Sequence, residues 1–570
     1  MSQVTNMDTR RRLVTLVDYS IYYGEDKTID DAMSLIKDIP SLSLINYISG
    51  FNIQLYLKDD DANIQFNLID SLLGVQEKFV WDYYVEKVQE LGKENRLPIF
   101  FYRYTNYKFY DLIFKSFNDK DCRDLTPNEK LNFFQAYLII NSLVNNEIDF
   151  NSSDFKEATE SGEYDPLIIT NFMYQRDFDT NMELRNQLMR GVCLFDFLDK
   201  HPIYSPYMAD YYSQKNATHH LEIFKTVLCS AVLTNFTNDE PTKRVQVITI
   251  DPDMASENII NLKVLDLLCI NDYIKDYESS GGLKLLWTKP LYKINNLQYY
   301  VLDINFLINQ LYKSQSFEFS SFVRKNYGDE NFPSIKGKEF SEEIYLKALV
   351  ERSFPHYKWL MGEDVKINND EELCDVYIRD TNKVALIEFK DVSLNDKPKS
   401  EKIVKKTLSE IDKKFFANEK GKAKGISQLA NAIDFISENN IPFDKDASQN
   451  LVIYPIVIYT DNALGMDGIN YLYRSKFKSI LKERGISLNV NDVTFINLTH
   501  WEDHEHFFSE KELDLFDMLD EYSNHVSIKE YAKTPFEIFS RFYLNKIDAP
   551  ELYSLKFYDE IKEKVFKYKS

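Results

Sequence analysis

At 570 residues, with 44% apolar and 28% charged side chains, the chain is long enough for about two to four domains and too apolar to remain disordered. Its 90 acids against 68 basic residues leave a formal charge of −22, which confines any attraction for a phosphate polyanion to a local patch. No uncharged apolar run reaches the ~18 residues of a membrane span, Met1–Arg12 lacks the apolar core of a signal peptide, and the five cysteines (Cys122, Cys193, Cys229, Cys269, Cys374) are odd in number and far apart, so the expectation is a cytoplasmic protein with reduced core thiols and no membrane association.

Residues 1–325 read as an aromatic-rich helical region serving recognition, oligomerisation or regulation. The spacing predicts helices over 79–95 ("FVWDYYVEKVQELGKEN") and 126–146 ("TPNEKLNFFQAYLIINSLVNN"), the second opening on a capping box from Thr126 to Glu129 with Pro127 at the first helical position. Polar stretches at 149–165 and 276–283 read as loops, and His219-His220 as surface or core residues. The looser stretch 324–340 ("RKNYGDENFPSIKGKEF") reads as the domain boundary, so that a fragment from Asn331 onward is expected to fold alone.

Over 335–501 the pattern changes to alternating helices and strands. A helix is expected at 340–354, a strand within 356–367 and a hairpin over "CDVYIRDTNKVALIEFKD" (374–391), turning at Asp380-Thr381-Asn382. A helix follows at 425–440, then a strand at 450–461 ("NLVIYPIVIYTD") so continuously apolar that both of its faces must be covered. A further helix near 468–484 and a strand at 493–501 complete an α/β unit with a central mixed sheet flanked by helices, and 502–570 reads as a helical C-terminal extension.

Three charges stand at the ends of buried strands in the hairpin. Asp375 and Glu388 lie on neighbouring strands, so their carboxylates can converge on one divalent cation, and Glu388 and Lys390, two apart, share a face. Hard oxygen ligands with positions left for water and substrate phosphate suit Mg²⁺, and an adjacent ammonium can orient the attacking water. The stretch 397–424 carries ten lysines against four acids; Lys405, Lys406, Lys413, Lys414, Lys422 and Lys424 are candidates for a cationic face toward backbone phosphates. "HWEDHEHFF" (500–508) gathers metal-ligand residue types in no closed-site spacing and reads as a solvated helix start, and no phosphate-binding glycine loop or nucleophile elbow is present.

Asp375, with Glu388-Phe389-Lys390 closing an apolar strand thirteen positions later, resembles the PD-(D/E)XK nuclease superfamily over about residues 335–465. The resemblance implies a restriction-endonuclease-like core after the helical N-terminal region, and cleavage of phosphodiester bonds, normally in double-stranded DNA, with Mg²⁺ or Mn²⁺. It assigns Asp375 and Glu388 to the metal, Lys390 to the nucleophile and Gln428, in "KGISQLANAI" with Gly425, to the site's edge. A glutamate on the first core helix is implied as well; Ser341 follows the aromatic Phe340 here, leaving Glu342, on the apolar side of the wheel, or Glu343. Cys374 stands where the name-giving proline would. Such cores commonly carry additions for recognition or control, so a homo-oligomer or a partner protein in bacterial anti-phage defence is the expected setting. The alternatives are an inactive scaffold of the same fold that binds nucleic acid or protein, and a nuclease of RNA or single strands.

Overall fold

The computed structural model describes residues 13–56, 61–74, 78–234, 246–368, 371–438, 441–447, 450–546 and 555–569. Met1–Arg12, on which the signal-peptide reading rests, lies outside them. The chain is α/β, and no described helix is long and apolar enough to cross a membrane. It divides into two compact units, each assembled from separated stretches: Asp149–Thr180 belongs with Asn331–Lys556, and Arg11–Ile148 with Asn181–Glu330 and Phe557–Ser570. The expected division at 325–335 therefore holds for the main chain crossing but not for two segments. Residues 149–180 join the sheet-bearing unit, and the expected extension 502–570 is shared between the two.

The unit formed by 11–148, 181–330 and 557–570 is mostly helical. Its helix Pro127–Asn145 starts on the expected capping box, Thr126 Oγ1 accepting from Glu129 N while the Glu129 side chain accepts from Thr126 N. Helix Lys78–Gly92 also stands where the spacing places it. Helices Arg103–Lys115 and Ile304–Asn309 meet at a buried ion pair, Arg103 Nη2 lying 3.5 Å from Asp303 Oδ2 while Tyr107 donates to the same oxygen at 2.7 Å. Gly191 lets another pair of segments approach closely, because a Cβ there would stand 1.9 Å from the Leu311 carbonyl oxygen. Of the cysteines, Cys229, Cys269 and Cys374 are buried, Cys193 is half-buried and Cys122, against expectation, is exposed.

The other unit is built on a six-stranded mixed sheet of β1 (Lys358–Met361), β2 (Val376–Asp380), β3 (Lys383–Lys390), β4 (Val452–Tyr459), β5 (Asn489–Val490) and β6 (Thr494–Asn497). The order is β5-β4-β3-β2-β1, with β6 pairing farther along β4. β2 and β3 form the expected antiparallel hairpin, Asp380 opposite Lys383 across a tight turn in which Thr381 takes φ +52°. β3 and β4 run parallel, Glu388 beside Val457 and Lys390 beside Tyr459, which places both strands inside the sheet and explains their unbroken apolar text. On the face of Val384 and Leu386, helices Val404–Phe415 and Ile426–Glu438 supply Ile411, Phe415, Leu429 and Ile433 to the core.

Several boundaries differ from the sequence reading. The strand expected over 493–501 ends at Asn497, whose side chain accepts from Thr499 N and caps helix Leu498–Ser509. The loose stretch 324–340 is largely helical: helix Lys313–Tyr327 closes on Gly328, and Phe332–Ile335 runs into a π-wound segment, Lys336–Leu346, continued as Lys347–Ser353. The loop expected at 149–165 contains helix Ser153–Ser161, capped by Ser152 and closed by Gly162 in the left-handed region. Helix Asp165–Asp179 follows, burying Ile169 and Met173 in the sheet unit's core. Val404 N donates to Asp154 at 2.9 Å, and Lys399, itself buried, pairs with Asp177.

Residues 331–556 alone are therefore not the whole unit. A fragment spanning them is expected to expose the surface that Ile169 and Met173 cover and to bind a hydrophobic dye, whereas adding back 149–180 restores a cooperative melt. Met173→Ala in the full chain is expected to lower this unit's stability by about 2–5 kcal/mol in urea denaturation. A cooperative, dye-silent 331–556 fragment would show that the two helices are dispensable.

Candidate active site

The hairpin gathers the charged residues at one end of the sheet. Asp375 stands just ahead of β2; its N–H donates to the Ile387 carbonyl at 3.0 Å, and its Oδ2 accepts from Phe389 N at 2.6 Å, so the carboxylate is fastened to the last residues of β3. Glu388 and Lys390 point to one face by the strand's period of two. Lys390 Nζ lies 2.6 Å from Glu388 Oε2 and 3.7 Å from Asp375 Oδ2, with the Glu388 side chain only 3% exposed.

A third element brings further acids. Glu342, on the π-wound segment, offers a carboxylate oxygen within 4.8 Å of those offered by Asp375 and Glu372, whereas Glu343 is exposed. Glu342 rather than Glu343 is thus the helix carboxylate at the cluster. Its helix is held by Asp391, the residue after β3, whose carboxylate accepts from Lys336 Nζ at 2.7 Å, Ser341 Oγ at 2.6 Å and Thr460 Oγ1, past the end of β4, at 3.0 Å. Burial alone would raise the Asp391 carboxyl, but Lys336 and these hydroxyls keep it below its usual range. From behind, Tyr345 donates to buried Glu502 at 2.5 Å, Arg352 pairs with Glu505 at 2.8 Å, and Trp501 Nε1 donates to Ser353.

This last contact corrects the reading of 500–508 as a solvated helix start: His500, Glu502 and His504 are all buried. Packing against Phe354 and Phe536 claims the helix face on which they lie, and burial holds the His500 imidazole well below its usual range. Gln428 sits at the start of helix Ile426–Glu438, where its Oε1 accepts from Gly425 N at 3.0 Å. Gly425 has φ +47°, and a Cβ there would meet the Phe415 carbonyl oxygen at 2.8 Å, so the approach to that helix requires glycine.

Electrostatics sets the protonation of the cluster. Burial, reinforced by Asp375, pushes the Glu388 carboxyl up to about 8 against the pull of Lys390, and burial with Asp375 and Glu372 pushes Glu342 up to about 7. Burial also opposes the Lys390 ammonium, but Glu388 and Asp375 outweigh it and raise its affinity for the proton. Four carboxylates against this one buried lysine, two of them destabilised as anions, make an acidic surplus that a divalent cation would offset, and an all-oxygen donor set suits Mg²⁺ or Mn²⁺.

The expected ligand pair was Asp375 and Glu388. The structure groups Asp375 instead with Glu342 and Glu372, and holds Glu388 on Lys390 beside them. Glu372 was not singled out, although it stands three residues before Asp375 in "DEELCD". Among the lysines of 397–424, Lys406 pairs with Glu401, Lys413 with Glu410 and Glu419, and Lys414 with Glu410, so a good part of that charge is neutralised within the segment. Lys424 is different: burial, then Lys390 and Lys422, hold its ammonium below its usual range, and Glu388 and Asp375 act on it as well.

No family model, curated protein or solved structure matches this chain.

Without metal, Glu342 and Glu388 keep their protons up to about pH 7 and 8, while glutamates of the unfolded chain release them near ~4.3. Between those limits the folded state binds more protons, so these two groups make stability fall as pH rises. The melting midpoint in EDTA is expected to drop between pH 5 and pH 8 more steeply for the natural chain than for Glu388→Gln, and Mg²⁺ to raise the midpoint more at pH 8 than at pH 6. Equal Mg²⁺ shifts at both values would remove the link between these carboxylates and the cation.

Proposed function

We propose that the chain is a metal-dependent nuclease that hydrolyses phosphodiester bonds, a DNA endonuclease with a role in bacterial anti-phage defence. The observation that supports this best is the convergence of Asp375, Glu388 and Lys390 at the end of one hairpin, with Glu342 brought to them by the preceding helix. The order of helix, strand, hairpin, helix and parallel strand is in keeping with the core that the resemblance implies.

In this reading Asp375 with Glu342, Glu372 and Glu388 would hold Mg²⁺ or Mn²⁺, which when bound supplies Lewis-acid stabilisation of the charge that develops on the phosphoryl group. Lys390, kept protonated by Glu388 and Asp375, orients the attacking water and offsets phosphate charge. Glu388 fixes that ammonium through the 2.6 Å contact, and the Asp375 hydrogen bond from Phe389 N keeps the carboxylate from swinging away. Lys424 offers a second cation for the scissile or the adjoining phosphate. Gln428 fixes the start of its helix at the site's edge. Double-stranded DNA is the proposed substrate, and a second copy or a defence partner protein the proposed company.

Asp375→Ala and Glu388→Ala are each expected to slow cleavage of plasmid and linear DNA by ~10³-fold or more, about 4 kcal/mol of barrier, while leaving affinity for DNA largely in place. Lys390→Met is expected to lose most turnover yet still bind Mn²⁺ in calorimetry. Cleavage in Mg²⁺ or Mn²⁺ and none in EDTA supports the reading; metal-independent cleavage, or undiminished cleavage by the Lys390 variant, sinks it. The same assay with RNA separates the substrate classes, and binding without cleavage under every condition would favour the scaffold. Lys424→Gln is expected to weaken binding by about tenfold and to flatten its salt dependence by about one phosphate contact.

A further inference from the structure

Among the described residues one other group of metal-ligand side chains comes together, Asp199, His219 and His220, all within the helical unit. Asp199 is the C-cap of helix Leu184–Leu198 and His219 the N-cap of helix His220–Leu233. His220 is buried, and both of its ring nitrogens face carboxylates: Nε2 lies 3.2 Å from Asp196 Oδ1 and Nδ1 lies 3.1 Å from Asp199 Oδ2. A neutral imidazole has one N–H and one lone pair, so only one nitrogen can donate. With the N–H on Nε2, the Nδ1 lone pair faces Asp199 Oδ2 and the Tyr212 hydroxyl at 3.2 Å, and because that hydroxyl donates to Asp199 Oδ1 at 2.8 Å, Nδ1 keeps its lone pair for a metal ion.

The surroundings favour the metal. His219 Nε2 approaches the same Asp199 Oδ2 at 3.7 Å, and the two imidazole rings lie 4.1 Å apart by their centroids. A bridging proton has no use for a second imidazole. Donor separations of 3.1 and 3.7 Å bracket the ~3.3 Å edge of a tetrahedron around zinc at its ordinary bond lengths. Tyr212 donates to Asp199 Oδ1 at 2.8 Å, which turns the carboxylate so that Oδ2 faces the histidines.

We infer that Asp199 Oδ2, His219 Nε2 and His220 Nδ1 form a binding site for a zinc-class transition-metal ion, with the Asp196 carboxylate 3.2 Å from the far nitrogen of His220 as a negative charge behind that ligand. Coordination through Nε2 moves the His219 proton to Nδ1 and gives up the 3.2 Å hydrogen bond from Leu221 N, a small loss beside a coordinate bond. His219 is 34% exposed, which leaves an entry path. Lys564 pairs with Asp196 and Tyr568 stacks over His219 at 5.1 Å, so the last helix, Lys556–Lys567, lies against the site's outer side.

The test is cobalt titration of the full chain, stripped with EDTA and kept in millimolar Mg²⁺ so that the carboxylate cluster is occupied. One equivalent is expected to give the visible absorption of tetrahedral Co²⁺, displaced by Zn²⁺. His219→Asn keeps a side chain able to cap the helix while removing the ligand, and is expected to weaken Co²⁺ binding at least a hundredfold without changing the melting midpoint in EDTA. Asp196→Asn should weaken it by about tenfold, and Asp375→Ala leave it unchanged. A natural chain that shows no tetrahedral band, a band that survives His219→Asn, or one that vanishes in Asp375→Ala would each overturn the site.

Discussion

The sheet-bearing unit depends on one buried ammonium. Lys390 stands at the end of an interior strand, where burial works against its charge, and it is tolerated only because Glu388 and Asp375 lie beside it. The converse also holds: the four neighbouring carboxylates in a partly buried corner would repel one another without it, and with it they still carry a surplus of negative charge. Chemistry and architecture are coupled through that imbalance. In the proposed reading, a divalent cation would offset that surplus.

Such a corner works only if its walls are rigid, and both come from ordinary interactions. β3 is paired antiparallel to β2 as far as Ile387 and parallel to β4 as far as Lys390, so Glu388 and Lys390 are held by the parallel ladder and by the Asp375 side chain on Phe389 N. The helix of Glu342 is fastened at its front to Asp391 and at its back to Glu502, Glu505 and Trp501. Its π-wound geometry sits between these two sets of contacts, in keeping with the tendency of such windings to occur where a side chain must be aimed.

How much of this the sequence disclosed follows from what periodicity and charge can encode. The hairpin, the interior strand at 452–459 and the capped helix after Thr126 are written in local signals, an alternation bounded by a tight turn, an unbroken apolar run and a capping box. The run 493–501 sets Thr494, Asn497, Thr499 and His500 among its apolar residues in no period by which strand could be told from helix; the change at Asn497 depends on a cap that many asparagines could make. Helix Ser153–Ser161 is polar enough to pass for a loop because few of its side chains enter a core. Asp375, Glu388 and Lys390 were legible because charge at the ends of apolar strands is conspicuous. Glu372 and the burial of Glu502 were not, since each depends on which helix or strand packs opposite, and no local pattern records that.

The interleaving of the two units reaches into how the chain acquires its structure during synthesis. Helices Ser153–Ser161 and Asp165–Asp179 leave the ribosome well before the strands they cover, and their contacts with Val404 and Lys399 close loops of more than two hundred residues. The helical unit likewise waits for Lys564 and Tyr568 to reach Asp196 and His219. Neither unit is therefore a continuous stretch that can finish folding as it is made: each holds an early segment that waits for partners synthesised two hundred or more residues later.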